Sequence, residues 1–109
     1  MKRGEIWVGA ETSDFAGKPR PWIVIQSDRF CDTDSVLALP LTSTSMDMPL
    51  LRVAVGAGGS TGLRVDSWIM LDKLNAMRRV RLRRRIGEID EPVLAEMERK
   101  LLPVLGFAR

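Results

Sequence analysis

The chain has 109 residues, a formal charge of +3, one cysteine and no histidine. That length suits a single domain over residues 1–109 that buries its core without cross-links. The lone Cys31 excludes an internal disulfide, and the missing imidazole removes histidine metal sites, histidine bases and every Ser–His or Cys–His nucleophile pair.

Glu5-Ile6-Trp7-Val8 reads as a first short strand, reached from Met1-Lys2-Arg3-Gly4 without the apolar core of a signal peptide. No apolar run approaches the ~20 residues of a bilayer span, so a soluble cytoplasmic protein with no membrane partner is expected. Residues 9–19, rich in Gly, Ser, Asp and Pro around Phe15, read as a loop. Pro19 and Pro21 then stiffen the entry to an apolar strand over 21–27, with Arg20 between them. Trp22, Ile23, Val24 and Ile25 are consecutive and apolar, which suits a strand covered on both faces. Ser27 to Asp34 is turn-like; residues 35–41 form a third strand, in which Pro40 implies an edge, a bulge or a bend, and Thr42 to Ser45 follow as a hydroxyl cluster.

Residues 51–55 read as a fourth strand and the glycine-rich 56–62 as a hairpin loop; no Gly-Lys-Ser/Thr follows, so it is not a P-loop. Residues 63–72 alternate most clearly. Leu63, Val65, Ser67, Ile69 and Leu71 take one face, and Arg64, Asp66, Trp68, Met70 and Asp72 the other. Arg64 and Asp66 would then point the same way, about 7 Å apart. The basic run 78–85 holds six arginines in eight positions and reads as a short helix followed by a strand. Asp90 suits an N-cap, Pro92 a first turn, and Leu94, Met97 and Leu101 the buried stripe of a terminal helix that Pro103 ends or kinks. Six short strands and one helix suggest a mainly β fold, a small twisted antiparallel sheet or partly open barrel.

Charge is unevenly spread. Residues 1–61 carry six Lys/Arg against seven Asp/Glu, whereas residues 62–109 carry eleven against seven. An arginine-rich half points to a polyanion or an acidic protein as partner. RNA cleavage needs neither histidine nor metal if the 2′-hydroxyl attacks the phosphate; the protein must supply a base, an acid and cations. Asp66 is a candidate base and Arg20 or Arg64 a phosphate stabiliser, while Thr42, Ser43 and Thr61 are candidate partners for phosphate or the 2′-hydroxyl. Lys18, Ser67, Lys73 and Arg78 complete the candidate RNA-binding set. The plainer alternatives are a surface Arg64–Asp66 ion pair, core tryptophans at Trp7, Trp22 and Trp68, and a polar loop at 42–45. Glu5, Asp66 and Asp72 lack a recognisable Mg²⁺-ligand spacing.

Taken in order, several segments resemble the MazF/PemK/Kid toxins of bacterial toxin–antitoxin pairs. Arg3-Gly4-Glu5-Ile6-Trp7 resembles the family's RGDIW, Arg20 to Asp28 its RPvvViqSD strand, and Leu39-Pro40-Leu41-Thr42-Ser43 its vPiTS segment. Gly62-Leu63, Asp66-Ser67, Leu71-Asp72, Arg81-Leu82 and Ile86-Gly87 follow GL…DS…vDqi…rL…kIG. Asp72-Lys73-Leu74-Asn75-Ala76 departs from the usual DQIRT, and the Kid branch's loop histidine has no counterpart. The resemblance implies a compact SH3-like barrel of the CcdB/MazF kind, a homodimer, and metal-independent, sequence-selective cleavage of single-stranded RNA (mRNA) without a cofactor. It also implies neutralisation by a cognate acidic antitoxin. By position, Arg20 and Thr42 match residues considered catalytic in MazF-like members, and Arg64 and Asp66 match the Arg-x-Asp pair of the Kid branch. These four residues are expected to line one groove. Two other readings stay open: a gyrase-binding toxin like the related CcdB proteins, for which Gly106-Phe107-Ala108-Arg109 is a poor match, and a non-catalytic RNA-binding module.

Overall fold

The computed structural model describes residues 1–11 and 18–107; the loop expected around Phe15 falls largely outside them. The strands are β1 (Glu5–Gly9), β2 (Arg20–Val24), β3 (Ser35–Thr42), β4 (Arg52–Val55), β5 (Ser67–Met70), β6 (Asn75–Arg78) and β7 (Leu82–Glu88). One helix, α1 (Glu91–Val104), closes the chain. The sheet runs β4-β5-β3-β2-β1-β7, all antiparallel, with β6 also on β3. No ladder among the described residues joins β4 to β7, so the barrel stays open.

β3 is the axis of this arrangement. One edge pairs with β2; the other pairs first with β5, through Leu41↔Ile69 and Thr42↔Trp68, then with β6, from Ala38↔Asn75 to Ser35↔Arg78. β5 and β6 are thus two halves of one interrupted strand. Between them residues 70–74 stand opposite only Leu39 and Pro40, and a 3₁₀ turn over Leu71–Lys73 takes up the excess. Pro40, which has no N–H for a ladder, sits beside the gap. The bulge lies in the neighbouring strand, and β3 runs on through the proline to Thr42.

The apolar run at β2 is covered on both faces, as its composition requires. Ile23 joins Ile6, Leu39, Leu41, Val53, Ile69, Met97 and Leu101 in the larger core, beneath α1. Trp22 and Val24 turn the other way, onto Val36, Ala38, Met77 and Leu82. Each such side chain, fully buried, contributes about 1.5–3 kcal/mol by transfer from water. The Asp90 carboxylate accepts from the Val93 N–H and caps α1, Pro92 lies in its first turn, and Pro103 lies in its last. Arg3 fastens the helix to the sheet, donating to the Ile25 carbonyl and pairing with Glu98 at 2.7 Å.

Candidate active site

The two prolines place Arg20 as the first residue of β2, where β2 leaves its loop. Thr42 is the last residue of β3. The register of the two strands (Trp22↔Pro40), continued by two residues, sets Arg20 across from Thr42. Thr42 Oγ1 accepts from the Thr44 N–H at 3.1 Å, leaving its hydroxyl proton to be donated elsewhere.

Residues 63–66 are not the strand their alternation suggests; the strand begins at Ser67. Leu63 is buried, but Val65, expected on the same face, is 55% exposed. The cause is the loop before them. Gly62 is left-handed at φ 69°, and Thr61 Oγ1 donates to the Gly58 carbonyl and accepts from the Leu63 N–H. Asp66 reaches back to accept from the Ala57 N–H at 2.8 Å. The loop is pressed onto β7 so closely that a Cβ at Gly87 would overlap the carbonyls of Ser60 and Thr61, and one at Gly62 would overlap that of Ile86. Arg64 and Asp66 therefore do not share one face of a strand. Arg64 turns into a cleft, while Asp66 anchors the loop.

That cleft, of about 420 Å³, is where the candidate residues meet or fail to meet. Arg20, Thr42 and Arg64 line it, joined by Lys18, Ser43 and Ser67. Asp66 does not line it, and Thr61 is spent on its own loop. Lys73 lies in the 3₁₀ turn beside Asp72, at 3.7 Å. Arg78 pairs with Ser35, seven residues along β3 from Thr42, or about 23 Å at strand rise. Neither belongs to the cleft. Trp22 is buried and donates to the Gly9 carbonyl, and the half-buried Trp68 is not in the lining either.

Among the described residues the lining holds cations and hydroxyls but no carboxylate. The acids with the most perturbed ionisation are engaged elsewhere. Burial alone would raise the pKa of Glu5, but hydrogen bonds from the Lys2 amide, Trp7 and Arg85 outweigh it and hold the carboxyl below its ordinary value. Asp72 behaves likewise: burial acts to raise it, and the Arg52 guanidinium at 2.8 Å leads the groups that bring it down. Glu5, Asp66 and Asp72 thus face separate sets of partners, and no three His, Cys, Asp or Glu gather among the described residues.

One charged lining residue, Arg84, lies outside the candidate set. Arg84 belongs to the basic run, whose members part company in the structure. Arg79 donates to carbonyls of Phe30 and Thr33, and Arg85 pairs with Glu5 at 3.0 Å and Glu88 at 3.7 Å. Arg84 faces the cleft. The usable signal was strand alternation in β7, which sends neighbours Arg84 and Arg85 to opposite faces.

Residues 2–105 match the family model described as PemK-like, MazF-like toxin of type II toxin-antitoxin system. The chain is 40% identical over 108 residues to a probable endoribonuclease MazF of Mycolicibacterium smegmatis, spanning 99% of both chains. It is 28% identical to endoribonuclease MazF9 of Mycobacterium tuberculosis, over 93% of this chain and 92% of the other. Among solved structures, MazF from Deinococcus radiodurans superposes with a TM-score of 0.78 at 26% identity, covering 97% and 96% of the two chains. A mycobacterial endoribonuclease in complex with its cognate antitoxin superposes at 0.80 and 22% identity, a likeness of fold, over 100% and 98%. With its open antiparallel sheet, terminal helix and near full-length match, the chain belongs to the PemK-like, MazF-like toxins of type II toxin–antitoxin systems.

Proposed function

We propose that this chain is the toxin of a toxin–antitoxin pair and cleaves single-stranded RNA by attack of the 2′-hydroxyl on the adjacent phosphate. The observation that carries the proposal is the convergence of Arg20, Thr42 and Arg64 on one cleft. A relative 40% identical over nearly its whole length, named a probable endoribonuclease, supports it. In the reaction a bond forms from the 2′-oxygen to phosphorus and the bond to the 5′-oxygen breaks. The products are a 2′,3′-cyclic phosphate and a 5′-hydroxyl. Arg20 and Arg64 offset the charge that builds on the phosphoryl oxygens, and the Thr42 hydroxyl donates to one of them. The 2′-hydroxyl loses its proton to water and the departing 5′-oxygen gains one from water.

Asp66, the base expected from sequence, takes a different part in this reading. Its Oδ1 holds the Ala57 amide and it stands outside the cleft, so it positions Arg64 through the loop. Ser43 and Lys18 contact the RNA beside the scissile phosphate; Ser67, also expected there, is buried and donates its hydroxyl to the Val65 carbonyl. The other macromolecular partner is an acidic antitoxin, consistent with the basic C-terminal half and with the MazE–MazF complexes of Deinococcus radiodurans that share the fold. The chain works as a homodimer in the cytoplasm, and no helix among the described residues is long and apolar enough to cross a membrane. A gyrase-binding mode is not favoured, because the named relatives are endoribonucleases.

The direct test is incubation with single-stranded RNA in EDTA. Wild type cuts, and Arg20→Ala, with an unchanged melting temperature, loses at least about a hundredfold in kcat, the scale of removing one oxyanion-stabilising donor. RNA left intact by wild type at high enzyme concentration contradicts the proposal.

A further inference from the structure

The geometry points to Arg84 as a second phosphate-binding residue, holding the RNA backbone at a phosphate next to the scissile one. The inference rests on the RNA-cleaving reading of the same cleft. Val8 of β1 stands opposite both Pro21 of β2 and Arg84 of β7. Directly paired residues share a face of a sheet, and all three line the cleft. On the other face, Trp7 stands opposite Arg85, and both meet Glu5. Two register shifts between β1 and β7 leave Arg83 and Ile86 as the extra residues and fix this division.

Glu5, the nearer of the two acids that pair with Arg85, is thereby on the wrong side to reach Arg84. Arg84 is exposed and has neither ion pair nor hydrogen bond among the described residues, and Arg64 on the facing loop is in the same state. An arginine without a partner among the described residues, in a concave cleft to which they bring no carboxylate, is poised for an external anion. Arg84 stands on β7, three strands along the sheet from Thr42 on β3, about 14 Å at the usual inter-strand spacing. Arg20, beside Pro21 on β2, is two strands away, about 10 Å, so Arg84 stands further along the same face, placed for a neighbouring phosphate of the same strand. Its role is binding and alignment, and the reacting phosphate stays with Arg20, Thr42 and Arg64.

The test uses the full chain and a short mixed-sequence 2′-O-methyl RNA, which presents every phosphate but lacks the attacking hydroxyl. Affinity is measured across a salt series. Arg84→Ala is expected to flatten the log–log salt dependence by about 0.7, the value for one phosphate contact on a single strand. Arg84→Lys should restore the slope, and Arg83→Ala, altered outside the cleft, should leave it unchanged. With cleavable RNA, Arg84→Ala raises KM while kcat stays within about threefold, the pattern of lost uniform binding. Wild type that binds and cuts while Arg84→Ala keeps the full slope overturns the role of Arg84 alone. An equal loss in Arg83→Ala overturns it too, by showing only diffuse surface charge. Wild type that neither binds nor cuts overturns both this inference and the reading beneath it.

Discussion

Thr42 and Asp66 show how one hydrogen bond sets what a side chain is able to do. The Thr44 amide occupies a lone pair of Thr42 Oγ1 and leaves the hydroxyl as a donor, the polarity a phosphate oxygen requires. The Ala57 amide occupies Asp66 Oδ1 in the same way, but there the result is a fixed loop. Anchor and base are separated by Asp66→Asn, which keeps an oxygen acceptor for Ala57 and cannot take a proton at neutral pH. The asparagine variant should retain cleavage within about fivefold with an unchanged pH profile. Asp66→Ala, which strands the amide, should lose more, together with about 1 kcal/mol of stability. If the asparagine variant is as inactive as Arg20→Ala while fully folded, Asp66 is the general base. The candidates at Arg20, Thr42 and Ser43 were legible because prolines and strand ends mark them locally. The anchoring by Asp66 was not, since it depends on a contact nine residues away across a glycine-rich loop.

The broken strand β5–β6 is held together by a buried charge. Arg52, almost wholly buried, pairs with Asp72 in the 3₁₀ turn, and Lys100 of α1 donates to the carbonyls of Pro49 and Arg52 alongside. Asp72 is stabilised as the anion in the fold, so its folded pKa lies below its unfolded value. The contribution is therefore complete above the ordinary aspartate pKa of about 3.9 and is lost as pH falls through the folded value. Urea melts should show wild type losing stability below about pH 4. Asp72→Asn should be less stable at neutral pH by about 2–3 kcal/mol, because Arg52 keeps its charge without a counter-ion, and its acid slope should be shallower. An unaltered slope would remove Asp72 from this role. The alternation of 63–72 could not reveal the interruptions, because period two is satisfied equally by a strand and by an irregular segment whose bends happen to match it. Leu63 sits in the core through the left-handed turn at Gly62, not through a ladder. The capped helix, by contrast, was fully legible, since Asp90, Pro92 and the Met97/Leu101 stripe act locally.

At the scale of the molecule, the sheet order turns a scattered set of cations into one surface. β3, β2, β1 and β7 lie side by side, so residues from both ends of the chain reach a single cleft. The arginine run that dominates the sequence contributes only Arg84 to that cleft; Arg79 and Arg85 hold the fold. Net charge alone thus identified the class of partner but not the residues that meet it. The central claim is that these cations and hydroxyls support attack by RNA's own 2′-hydroxyl. Mass analysis of the ends left on a chimeric oligonucleotide tests it most directly. Cleavage in EDTA should leave 2′,3′-cyclic phosphate and 5′-hydroxyl ends, and a single 2′-deoxy substitution before the cut phosphate should abolish cutting there. A 5′-phosphate end, or undiminished cutting at the deoxy position, would contradict the account.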